Sequence, residues 1–139
     1  MTATGIRASV LALALGFLAG SPALAETRSF KADLQPVAGV KSKAQGTLTA
    51  TYDTDTKKLT WQGSYRGLGT YATAASMVGP GPGNRDRIVV RVRDFDSPFS
   101  GLAIISEKQA ADLMAGKWRI IIQSASNPRG EIGGTLEPN

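Results

Sequence analysis

The chain contains no histidine and no cysteine in 139 residues. Without histidine it lacks the commonest general base, the commonest zinc and copper ligand, and the usual sensor of pH near neutrality. Without cysteine it has no disulfide and no thiol to carry a lipid at a processed N-terminus, so an exported domain made from it must hold together by packing alone. Long apolar runs are scarce as well. The run from Ala8 to Ala19 is shorter than the roughly 20 residues a membrane-spanning helix needs, and no later segment approaches that length.

What is present begins with a leader. Arg7 precedes the apolar run, Gly20, Ser21 and Pro22 interrupt it, and Ala23-Leu24-Ala25 supplies the small residues of an A-x-A processing site. The expectation is a secretory signal peptide over 1–25, cut after Ala25, and a single domain over 26–139 in the periplasm or outside the cell, with no transmembrane segment after cleavage. Cleavage removes one of 16 basic residues and none of the 11 acidic ones, so the net charge falls from +5 to +4.

Period-two alternation dominates the remainder. Phe30, Ala32 and Leu34 alternate with polar residues, as do Leu48, Ala50 and Tyr52 and then Leu59, Trp61, Gly63 and Tyr65; each run reads as a strand with one wet face. Between the second and third lies Asp53 to Lys58. Asp53-Thr54-Asp55 resembles the opening of a calcium loop, but Lys58 stands where its glycine belongs and Ser64 where its bidentate glutamate belongs. The segment reads instead as a hairpin turn with side chains bonded to local backbone. Tyr71 to Val78 reads as a fourth strand.

Gly79-Pro80-Gly81-Pro82-Gly83 lacks the Lys-Ser/Thr pair and the following helix of a phosphate-binding loop, and its prolines offer no N–H donors, so a stiff surface connection is expected. Gly101 to Ile105 forms a short strand, followed by one helix. Ser106 and Gln109 make a capping box, Ala110, Leu113 and Met114 share a face, and Gly116 marks the stop. So short a helix must dock on the sheet to persist, as a lid over one end of the core.

Arg87 to Arg93 reads as a strand with Ile88, Val90 and Val92 on one face and Arg87, Val89, Arg91 and Arg93 on the other. Burying unpaired guanidinium groups costs several kcal/mol each, so this face is wet or occupied. Two readings stand: a solvated edge that repels self-pairing, or a stripe that binds an anionic partner through Arg85, Arg87, Arg91 and Arg93. Nucleic acid is not expected, because the basic strand has no interleaved aromatic.

The closing stretch, Lys117 to Leu136, reads as two strands joined by a turn, with Trp118, Ile120, Ile122, Ile132, Gly134 and Leu136 on one even-numbered face. Shared parity restricts the register to pairs whose numbers sum to an even value, with Ser126 opposite either Gly130 or Ile132. Within this stretch Leu113-Met114-Ala115-Gly116-Lys117-Trp118, Asn127-Pro128-Arg129-Gly130-Glu131-Ile132 and Gly134-Thr135-Leu136 strongly resemble the end of the CHRD (chordin-type) domain, a module found singly in many exported bacterial proteins. The likeness covers most of residues 29 to 136; Asn127, Pro128, Gly130 and Glu131 are its motif residues here.

The resembled family typically carries His-x-His-Gly-Pro where this chain has Ser76-Met77-Val78-Gly79-Pro80, and His-Thr where it has Gln123-Ser124. All three histidines are replaced, which withdraws the metal chemistry that paired histidines support on the similar-looking copper-zinc superoxide dismutases. Gly133 replaces the family's usual arginine. The resemblance implies the fold and an exported location, and it passes on no catalytic residues.

Together these readings give an all-β, Greek-key-like antiparallel β-sandwich of seven to eight strands with one short helix. The expected role is a non-catalytic binding module without cofactor, whose partner is an unknown protein or an anionic polymer or surface. The alternatives are an enzyme using the carboxylates Glu131, Asp94 and Asp96, which nothing pairs in sequence, and a purely structural envelope domain. In the non-catalytic reading, Glu131 is a soluble turn or edge residue.

Overall fold

The alternating runs pair as antiparallel ladders because one face of each is apolar. The computed structural model describes residues 26–139; the expected signal peptide and its cleavage site lie outside the described residues. Strands β1 (Thr27–Pro36), β2 (Gln45–Asp53), β3 (Lys58–Arg66) and β6 (Phe99–Ile104) form one sheet in the order β1-β2-β3-β6. Strands β4 (Ala72–Pro80), β5 (Asp86–Val92), β7 (Arg119–Ser124) and β8 (Ile132–Thr135) form the second, in the order β5-β4-β7-β8. β1 joins them: its residues Thr27 to Leu34 pair with β2, while Gln35 and Pro36 pair with Gly133 and Ile132 of β8. The two-residue β9 (Glu137–Pro138) pairs with β1 at Lys31 and Phe30, adding a ninth, minimal strand to the expected seven to eight.

The chain crosses between the sheets at β3–β4, β5–β6, β6–β7 and β8–β9, so their apolar faces oppose one another around one core. Phe30, Leu34, Leu48, Tyr52, Leu59 and Trp61 face Met77, Val92, Trp118, Ile120, Ile122, Ile132 and Leu136, all buried. Trp118, Ile120 and Ile122 are fully buried and contribute about 1.5–3 kcal/mol each by leaving water. β7 is central, between β4 and β8, which explains why Ile121 on its other face is also half-buried.

Three local features differ from expectation. The even parity of the β7–β8 register holds, yet Ile122 faces Ile132, which excludes both expected registers. Two successive tight turns cause this: Ser124 and Asn127 exchange main-chain hydrogen bonds, then the Gly130 N–H donates to the Asn127 carbonyl. Gly79 and Pro80 continue β4 instead of forming a surface loop, because Trp118 packs on the Cα of Gly79, where an added Cβ would lie 2.9 Å from the indole. The bend that follows is a 3-10 turn at Pro82–Asn84.

The hairpin between β2 and β3 follows the sequence reading: Asp53 Oδ1 accepts from the N–H groups of Asp55 at 2.8 Å and Thr56 at 3.1 Å. These bonds hold the Asp53 carboxyl below the ordinary carboxylate range. Helix α1 (Glu107–Met114) starts at the Ser106 capping box and ends with Gly116 at φ +73°, its N–H and that of Lys117 bonded to the carbonyls of Leu113 and Asp112. Ala110 and Leu113 are buried, whereas Met114 stays partly exposed at the margin of the docking face. Ser106→Ala is expected to cost about 1 kcal/mol, and Ser106→Gly only a few tenths, read as shifts of the urea midpoint.

Candidate functional site

β5 is an outer edge strand, and a bulge divides its arginines. Met77 faces Val90 but Val78 faces Ile88, leaving Val89 as the extra residue. Ile88 is therefore 44% exposed and lies outside, while Val89 packs partly against the core. This reverses the expected faces of Ile88 and Val89, and it separates the four arginines. Arg91 stands opposite Ser76 on the outer face, with Arg93 just past the strand end on the same side. Arg87 stands opposite Gly79 on the side of Trp118, and Arg85 lies in the preceding turn. All four are exposed, and none forms an ion pair among the described residues.

Along the outer face of the second sheet, Ala74, Ser76 and Val78 of β4 form a column of small side chains between β5 and β7. Gln123 stands opposite Ala74, Ile121 opposite Ser76 and Arg119 opposite Val78. Ser76, Val78 and Gln123, the positions at which the resembled motif carries histidine, thus converge on one face beside Arg91. Arg119 reaches over that face to Asp86, 3.0 Å away. Hydroxyl, carboxamide and guanidinium groups there can donate to an anion; they do not form the imidazole cluster that zinc or copper prefers.

The second cluster centres on Glu131, which is 1% exposed; the reading of Glu131 as a soluble turn or edge residue is corrected. The only acid between Asp112 and Glu137 in the sequence, it is drawn inward by four donors. Oε1 accepts from Ser124 Oγ at 2.7 Å and Asn127 Nδ2 at 3.4 Å, and Oε2 accepts from Ser42 Oγ at 2.7 Å and the Gly69 N–H at 3.0 Å. Its own N–H donates to the Ile122 carbonyl and its carbonyl accepts from Val37 N–H. Gly130, at φ +138°, supplies the backbone turn just before it.

One carboxylate therefore ties together the β1–β2 connection, the β3–β4 connection and the β7–β8 turn. Burial pushes the Glu131 carboxyl up, but the bonds from Ser42, Ser124, the Gly69 amide and Asn127 outweigh it and leave the group below the usual glutamate range. With each oxygen already holding two donors and no proton at neutral pH, it is poorly suited to general acid or base work. A depression of about 540 Å³ opens beside it, lined by Lys41 and Lys43 among others. Asp94 and Asp96 are exposed loop residues.

The motif residues Asn127, Gly130 and Glu131 make structural bonds here: Asn127 accepts main-chain bonds from both turns, one of them from Gly130, and Glu131 binds the three connections. The sequence reading missed Ser42, Gly69 and Ser124 as its partners. Its one available signal was an isolated acid between apolar and small residues. Among the described residues no helix is long and apolar enough to cross a membrane.

Compared with curated proteins and with solved structures, the chain matches none. A protein-family model does match it, that of the CHRD domain, over residues 30–136. Strands β2 to β8, the Asn-Pro turn and the buried glutamate all fall within that span, and the chain belongs to the CHRD domain family.

Proposed function

We propose that this protein is an exported, non-catalytic binding module that meets an anionic polymer or surface with the outer face of its second sheet. The carrying observation is the position of Arg91: exposed, free of any carboxylate among the described residues, and beside the small side chains of β4. Arg93 extends that cationic edge by a repeat of about 6.8 Å. Arginine suits this task because its planar fork makes bidentate contacts to carboxylate, sulfate-like or phosphate oxygens. Export, to the periplasm or beyond the cell, is supported by the leader-like residues 1–25 and by the family.

The test is retention on immobilised heparin across a salt series. Arg91→Ala with Arg93→Ala should elute at clearly lower salt than the parent, because two screened attractions are lost. Arg85→Ala with Arg87→Ala, which alters the other side of the bulge, should shift elution less. Retention independent of salt, or unchanged by the first pair, overturns the proposal.

A further inference from the structure

The two sheets end on unlike edges. β5 carries arginines and a bulge, two devices that keep an exposed edge from pairing with another strand. β6, the edge of the first sheet, has neither: Phe99-Ser-Gly-Leu-Ala-Ile104 contains no charge, no proline and no register shift against β3. Its side chains Leu102 and Ile104 are 62% and 66% exposed. The Ile105 N–H bonds inward to the Lys57 carbonyl, so by alternation Ala103 and Gly101 also bond toward β3. The main-chain groups of Ser100, Leu102 and Ile104 then point to the open side. The two exposed apolar side chains and the free edge groups belong to the same residues.

We propose that β6 pairs antiparallel with β6 of a second copy of this chain, about a two-fold axis at Ala103. That register sets Leu102 against Ile104 of the partner, twice by symmetry, and lets both pairs exchange hydrogen bonds. Centring the axis on Leu102 would set Ser100 against the partner's Ile104 and lose one apolar match. Centring it on Ile104 would run Leu102 against Ser106, outside the strand. Odd-numbered sums would turn the apolar pair to opposite faces.

Charge permits the arrangement. Lys58 is the cation that flanks Ile104 across β3, and in the pair it lies about 16 Å from its symmetry mate, three strand spacings and one two-residue rise away, beyond the Debye length. Within the first sheet no like-charge contact opposes association. β5 ends the second sheet on the same open side of the fold as β6, so the arginines of the two copies flank the seam; salt screens their mutual repulsion, and dimerisation should therefore strengthen with salt where anion binding weakens.

Sedimentation velocity on the purified protein over a concentration series tests this, with Leu102→Lys and Ile104→Lys as variants that keep exposed positions exposed. A reversible dimer is expected, weakened at least tenfold by either lysine. Because the chain has no cysteine, Ala103→Cys gives a second readout. Residue 103 faces its symmetry mate at a non-hydrogen-bonded pair, where side chains lie closest, so mild oxidation should yield a linked dimer, while Thr49→Cys on the same sheet should not. A monomer at every concentration, with Ala103→Cys linking no faster than Thr49→Cys, overturns the proposal and leaves the edge to a strand of another protein. A dimer that persists in both lysine variants overturns it equally.

Discussion

Glu131→Ala is expected to lose on the order of 3–5 kcal/mol of stability, enough to leave a domain of this size barely folded. The loss comes from the donors left behind. Ser42, Ser124, Asn127 and the Gly69 amide, which now converge on one buried carboxylate, would face an emptied space reached only from the adjoining depression. Glu131→Gln should lose roughly half as much, since a carboxamide keeps one acceptor oxygen but turns an NH2 toward donors. Urea unfolding at neutral pH measures both. An Ala variant within about 0.5 kcal/mol of the parent would show that the four bonds contribute little.

The same residue should set part of the acid limit. The folded Glu131 carboxyl lies below its ordinary value of 4.5, so at pH values between the two the unfolded chain binds more protons and stability falls as pH falls. The contribution is fully present above about pH 4.5 and disappears as pH drops through the folded value. In Glu131→Gln the corresponding part of the slope should vanish. Asp53 and Glu107, also held below the ordinary range, would supply a residual slope in both proteins.

Gly134→Ala is expected to cost about 3 kcal/mol or more, despite adding one methyl group at a position with unexceptional backbone angles. That methyl would run into the carbonyl of Asp33, a main-chain atom of the strand shared by both sheets, which cannot move without parting β1 from β8. Gly39→Ala is the control. Gly39 has φ +82° but nothing within 4 Å of an added Cβ, so it should lose only about 1–2 kcal/mol of left-handed backbone preference. Equal losses in the two variants would refute the steric account. Faster amide exchange at Ile132 and Gly133 in Gly134→Ala would locate the damage at the junction.

What the sequence made legible was whatever repeats locally. β1, β2, β3 and β7 were plain because Phe30-Ala32-Leu34, Leu48-Ala50-Tyr52, Leu59-Trp61 and Trp118-Ile120-Ile122 alternate without interruption, and the capping box at Ser106 lies within four residues. The faces of β5 were not, because its bulge is visible only against β4, where the register shifts between Met77 and Val78. For the same reason the arginine stripe shrank to Arg91 and Arg93. Glu131 was recognised in a motif, yet its burial depends on donors 89 and 62 positions away, at Ser42 and Gly69. No local pattern carries that information.

The pairing of β9 with β1 bears on how the module can be built into larger assemblies. The first and last described strands are neighbours, with the Asn139 N–H donating to the Ser29 carbonyl. Entry and exit therefore sit about 10 Å apart, close enough for the fold to be spliced into a surface loop of a host without spreading the host's strands. The arrangement also sets its response to tension. Pulled by both ends, adjacent antiparallel strands open one bond at a time, so the short β9 would peel off first and act as a soft mechanical link ahead of the rigid core.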